Sequence, residues 1–237
     1  MKTVFHSADS RGYADHGWLK SYHTFSFANY HNPERVHFGA LRVLNDDSVQ
    51  QGMGFGSHPH SDMEIISIPL EGDLEHKDSM GTGSVIRKGE IQVMSAGTGI
   101  YHSEYNKNPD QPVKFLQIWI FPNKKGVEPR YDQVNISAGE KRNDFQQILS
   151  PDREGSGVWI HQDAWFHLAK FDSGFSKEYT LKKDGNGVYL FVLNGAAKVG
   201  GHELNRRDGL GIWDTSSFTV EATEDAEILM MEVPMTI

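Results

Sequence analysis

"SIPLEGDLEHKDSMGTGSVIRKGEIQVMSAG", residues 67–97, sets out an order of parts that returns later in the chain. It runs apolar strand, Gly turn, polar strand, basic-Gly turn, apolar strand. "LFVLNGAAKVGGHELNRRDGLGIWDTSS", residues 190–217, runs the same way, with Gly72 matching Gly195 and Gly89 matching Gly209. Another apolar strand closes each copy, "FLQIWIF" (115–121) in the first and "AEILMMEV" (226–233) in the second. Short runs of this kind, punctuated by Gly, Asn and Asp clusters, read as antiparallel strands of a sandwich or barrel. The repeat therefore predicts an all-β chain of two barrels in tandem, residues 1–135 and 136–237. The division falls within the polar, turn-rich stretch 122–145.

Composition narrows the partners. Lys and Arg number 23 against 32 Asp and Glu, a net charge of −9, which argues against direct binding to nucleic acid. The absence of cysteine excludes disulfides, thiolate metal sites and cysteine nucleophiles. "MKTVFHSADSRGYADHGW" at the N-terminus has no uninterrupted apolar core of a secretory signal. No apolar run approaches the roughly 18 residues of a membrane span. A cytoplasmic protein is expected, with no membrane partner.

The two copies differ chemically. In "GFGSHPHSDMEI" (54–65), His58 and His60 stand two residues apart, so on a strand they share one face, roughly 6.6 Å apart along the backbone. In "GTGIYHSEYN" (97–106), His102 and Glu104 repeat that spacing. Two such pairs facing each other inside a barrel supply three imidazoles and a carboxylate, a set suited to a divalent first-row ion with positions left open. Glu64 is the rival carboxylate. It lies four residues past His60, roughly 13 Å along a straight strand, and needs a bend to reach the same ion. The second copy has neither pair, and His161 and His167 there have no partner motif. His76 in "EHKDS" reads as part of a solvated polar strand near a turn. His6, His16, His31, His37 and His202 read as structural or surface residues.

"GMGFGSHPHSDMEIISIPLEG" (52–72) resembles the first cupin motif, and "GEIQVMSAGTGIYHSEYN" (89–106) resembles the second. Ser95 replaces the usual proline of the second motif, and the stretch from Gly97 to His102 is longer than usual. Those departures are shared by one branch, the pirins. "SYHTFSFANY", "LRVLNDD", "HPHSDMEI", "HKDSMG", "MSAGTGIYHSEYN" and "LQIWI" are similar to pirin sequence from about Arg11 to Trp119, closely so to its bacterial members. The likeness continues more weakly through the second barrel.

The resemblance implies a bicupin, two double-stranded β-helix barrels of the jelly-roll kind, with one metal in the N-terminal barrel. The family's ligand motif falls on His58, His60, His102 and Glu104. It further implies iron, Fe(II), as the usual ion, with Cu, Ni, Mn, Co or Zn as alternatives. The expected activity is quercetin 2,3-dioxygenase, acting on a small aromatic substrate and O2, with Glu104 as the catalytic base. The competing expectations are a metal-bound regulatory or redox-sensing cupin acting through a protein partner, as implied by a eukaryotic relative, and a cupin isomerase or nickel-type dioxygenase with another substrate. Phe25, Phe27, Met53 and Phe55 are the candidate substrate-binding residues, although alternating aromatics also suit a core strand.

Overall fold

The computed structural model describes residues 1–237, the side chain of Ala138 apart. Each half of the molecule is a seven-stranded sheet faced by a four-stranded one. In the first barrel the large sheet holds, edge to edge, Arg130–Asn135, Glu90–Ser95, Glu64–Glu71, Val113–Ile120, Leu41–Val49, Leu19–His23 and Gly12–Asp15. Its small sheet holds Gly54–His60, Ile100–Asn106, Asp73–Asp78 and Gly83–Arg87. The second large sheet holds Lys2–His6, Gly209–Trp213, Asn186–Asn194, Ala226–Pro234, Trp165–Phe171, Phe145–Ser150 and Val158–Trp159. Its small sheet holds Ser176–Thr180, Ser217–Ala222, Ala197–Val199 and His202–Leu204.

The expected division at residue 135 is corrected in one respect. Lys2–His6 is an edge strand of the second barrel, paired antiparallel with Gly209–Trp213 from Lys2↔Trp213 to His6↔Gly209. The strand lies outside both copies of the repeat, so the repeat carries no sign of it.

Alternation along the long strands divides the core. In Val113–Ile120, Leu116, Ile118 and Ile120 join an apolar layer between the two barrels, while Val113 and Phe115 pack in a cluster belonging to the first. In Ala226–Pro234, Leu229, Met231 and Val233 join the shared layer, while Ile228 and Met230 fill the second barrel. Strands buried on both faces read as nearly continuous apolar runs, which is why "AEILMMEV" shows no polar alternation.

The two interiors differ at their middle. The second is packed with Phe171, Val188, Leu190, Val192, Ile228 and Met230. In the first, His23, Asn45, Gln117, Ser67 and Gln92 are successive cross-strand partners. All five are buried. Directly opposed residues share a sheet face, so they form one polar row across five strands. A barrel with such a row inside it is built to hold something.

Candidate metal centre

The small sheet of the first barrel carries the histidines. Gly54–His60 and Ile100–Asn106 pair antiparallel, with His102 directly opposite His58 and Ile100 opposite His60. A register shift follows: Glu104 meets Phe55, so Ser57 and Gly56 of one strand stand against Ser103 alone of the other. Such a bulge bends the bearing strand and re-aims its side chains. Nitrogens of His58, His60 and His102 lie within 4.8 Å of one another, and the ring centres are 4.4 to 5.0 Å apart.

The protonation of these rings fits a cation. His58 Nδ1 donates to the Gly56 carbonyl at 2.8 Å, because a carbonyl can only accept; the lone pair is left on Nε2. Burial, with the like charge of His58 added, pushes His60 down to about 4. Burial and then the neighbouring imidazoles push His102 down to about 2. Neutral imidazole is the ligand form. His102 is 3 % exposed, and neither of its ring nitrogens has a hydrogen-bond partner. A buried polar atom left alone costs about 1–3 kcal/mol. An ion between the three rings would take the lone pair of one of these two nitrogens, so the residues present fit a divalent metal.

Glu104 is buried beside this cluster but is not one of its close-set donors. Ser67 Oγ donates to its Oε1 at 3.0 Å, and Gln117 Nε2 donates to Oε2 at 2.7 Å. Both donors belong to the polar row of the opposite sheet. Burial raises the Glu104 carboxyl to about 7, against those two hydrogen bonds. Glu64 points elsewhere, accepting from Ser95 Oγ at 2.7 Å.

His76 corrects the solvated-strand expectation. It is fully buried, 2.9 Å from Asp78, with its ring 5.4 Å from His102 and 4.6 Å from Tyr131. The signal was present in "DLEHKD", where His76 and Asp78 share parity with the buried Leu74.

A cavity of about 580 Å³ adjoins the centre, and His58 and Glu104 form part of its wall. Its aromatic lining comes from Trp18, Phe27, Tyr30, Phe55 and Trp119, and its polar lining includes His23, Asn45, Asp47 and Gln117. Phe27 and Phe55 both line this cavity. Phe25 does not: it is 1 % exposed and packs on Tyr189 in the layer between the barrels. The parity reading failed because the strand ends at His23. Met53 is 41 % exposed and outside the lining. The sequence reading missed Trp119, Tyr30, Asn45 and Asp47 as cavity residues. All four lie in stretches similar to pirin sequence, but no local pattern marks which strands share a cavity.

Two β-barrels, one packed solid and one holding three clustered imidazoles beside an open cavity, define a metal-binding bicupin. Residues 4–120 match the family described as Pirin, and residues 147–233 match the quercetinase C-terminal cupin domain. The chain is 42% identical over 230 residues, 96% of each chain, to a quercetin 2,3-dioxygenase of Escherichia coli strain K12, an oxidoreductase by its name. It is 41% identical over 225 residues to a pirin-like protein of Caulobacter vibrioides, covering 94% of this chain and 96% of that one. Among solved structures, the bacterial pirin YhhW of Escherichia coli in complex with nickel(II) superposes with a TM-score of 0.93 at 40% identity, covering 98% of this chain and 99% of that one. The chain belongs to the pirin family.

Proposed function

We propose that this protein is a metal-dependent dioxygenase that opens the heterocyclic ring of flavonols such as quercetin with O2, releasing carbon monoxide. His58, His60 and His102 would hold the ion, with Glu104 beside it; Fe(II) is the ion proposed, and a nickel complex is known for the relative named above. The observation that carries the reading is the join between an unpartnered buried His102 and an aromatic-walled cavity of about 580 Å³, within the size range of small-molecule sites.

When bound, a divalent ion supplies Lewis acidity to an enol oxygen of the substrate. The chain's own residues do the rest. Glu104, buried on the cavity wall, accepts the proton of the flavonol 3-hydroxyl as a carboxylate. Ser67 and Gln117 fix its orientation from the opposite sheet. Trp119, Phe27 and Phe55 offer flat surfaces to the rings and exclude water. Both atoms of dioxygen enter the ester product while one ring carbon leaves as carbon monoxide, so the atoms balance.

The test is oxygen-dependent loss of quercetin absorbance by protein loaded in turn with iron, copper, nickel or manganese, with His58→Ala alongside. Turnover by at least one metal form, reduced at least a hundredfold in the variant, is expected. Stoichiometric metal binding without turnover in any form overturns the dioxygenase reading.

A further inference from the structure

An ion takes the lone pair of one His102 nitrogen, and the other nitrogen then carries the ring proton. Buried with its residue, that N–H needs an acceptor, which also fixes the orientation of the ring. His58 has the Gly56 carbonyl for this purpose. His102 has no such contact, since both its nitrogens lack a partner. Its neighbours narrow the choice. His58 and His60 belong to the same donor cluster, and the Glu104 oxygens are engaged by Ser67 and Gln117.

His76 is the group that remains. It lies on the adjacent strand, where His102 stands opposite Asp78 and Glu104 opposite His76. The two histidines are therefore diagonal neighbours on one face of the sheet. Their ring centres are 5.4 Å apart, close enough for a nitrogen of each to come within about 3 Å of the other. His76 is itself held from behind. The Met80 and Thr82 amides donate to Asp78 Oδ1 at 2.9 and 3.1 Å, and Asp78 Oδ2 lies 2.9 Å from His76 Nε2. A carboxylate only accepts, so the proton of a neutral His76 ring is on Nε2 and its lone pair is on Nδ1. Burial keeps that ring neutral against the pull of Asp78. The Nδ1 atom is buried and has no partner. A donor in need of an acceptor thus stands beside an acceptor in need of a donor.

We infer that His76 is a positioning residue of the metal centre, whose Nδ1 in the loaded protein accepts a hydrogen bond from the His102 nitrogen that does not hold the ion. The bond completes a line from the backbone of the 78–82 turn through Asp78 and His76 to His102. It fixes the plane of the ligand ring and raises its basicity toward the ion.

The inference concerns the metal centre alone and stands apart from the flavonol reading, so no substrate enters its test. In zinc-loaded, isotope-labelled protein, long-range proton–nitrogen NMR should show the second His102 nitrogen protonated and His76 Nδ1 bare. A coupling between those two nitrogens across the hydrogen bond is expected. Competitive chelation of zinc supplies a second readout. His76→Phe keeps an aromatic ring but no acceptor, and should weaken zinc binding by about ten- to a hundredfold. His76→Gln offers a donor to Asp78 and an acceptor to His102, and should stay within roughly threefold of wild type. A histidine that merely filled space would be replaced better by Phe than by Gln. Melting temperatures of the metal-free forms identify a variant that fails to fold, and the wild-type spectrum, which needs no substitution, then decides. A protonated His76 Nδ1, no coupling between the two rings, or wild-type zinc affinity in His76→Phe overturns the inference.

Discussion

At the scale of single residues, Glu64 shows how a motif and a structure part company. It occupies the glutamate position of the H-x-H-x3-E pattern, yet it does not join the three imidazoles. The reason is Asp62, whose φ of 45° turns the chain between Gly54–His60 and Glu64–Glu71. Those strands lie in opposite sheets, so Glu64 starts afresh on the far wall. It is buried there, and burial lifts its carboxyl to about 7 against the Ser95 hydrogen bond and the charge of Arg130. In the unfolded chain it releases its proton near 4.5. Because the folded state holds the proton to higher pH, this residue's contribution to stability is full below about 4.5, falls as pH rises to about 7, and is constant above. Glu64→Gln removes that slope. Denaturant melts of the metal-free protein should therefore show the variant gaining on wild type by up to about 3 kcal/mol between pH 4.5 and 7.5. A pH-independent difference would contradict the buried-carboxyl account.

At the scale of elements, the two ligand-bearing strands approach closely because one of them has a glycine at the contact. Gly54 stands opposite Tyr105, and a Cβ there would lie 2.3 Å from the Glu104 carbonyl oxygen and 2.6 Å from Tyr105 Cα. Backbone cannot yield as a flexible side chain can. Gly54→Ala should push the strands apart at a cost of about 1–3 kcal/mol. Metal affinity should fall at least tenfold, measured by competitive chelation; unchanged affinity would mean that the strands adapt. The same strands show what a sequence can disclose. Alternation alone put His58 with His60 and His102 with Glu104, because period two is a local property. The polar row was invisible for the converse reason. Asn45 and Gln117 are brought together by register between distant strands, and register is not written in either strand by itself. His76 was misread because a charged neighbourhood outweighed its parity with Leu74. Phe25 was misread because parity was carried past the end of its strand.

At the scale of the molecule, a shared apolar layer and an exchanged edge strand tie the barrels together. Lys2–His6 covers the Gly209–Trp213 edge, His6 Nδ1 lies 2.9 Å from the Tyr189 hydroxyl, and the Ala8 amide donates to Asp208. Deleting residues 1–7 bares that edge, and a bare edge pairs with other chains. Dimers or larger species on size exclusion and a lower melting temperature are expected, while each chain still binds one ion, since the three histidines lie in the other barrel. A monomer melting as wild type would show the strand to be dispensable. The pairing of Lys2 with Trp213 also sets a timetable for biosynthesis. This strand is made before its partner, which follows 211 residues later, roughly 10–40 s at ordinary rates of translation. The barrel that carries the histidines can close during that interval. The solid barrel cannot, so the order of synthesis allows the three histidines to come together before the second barrel has all its strands.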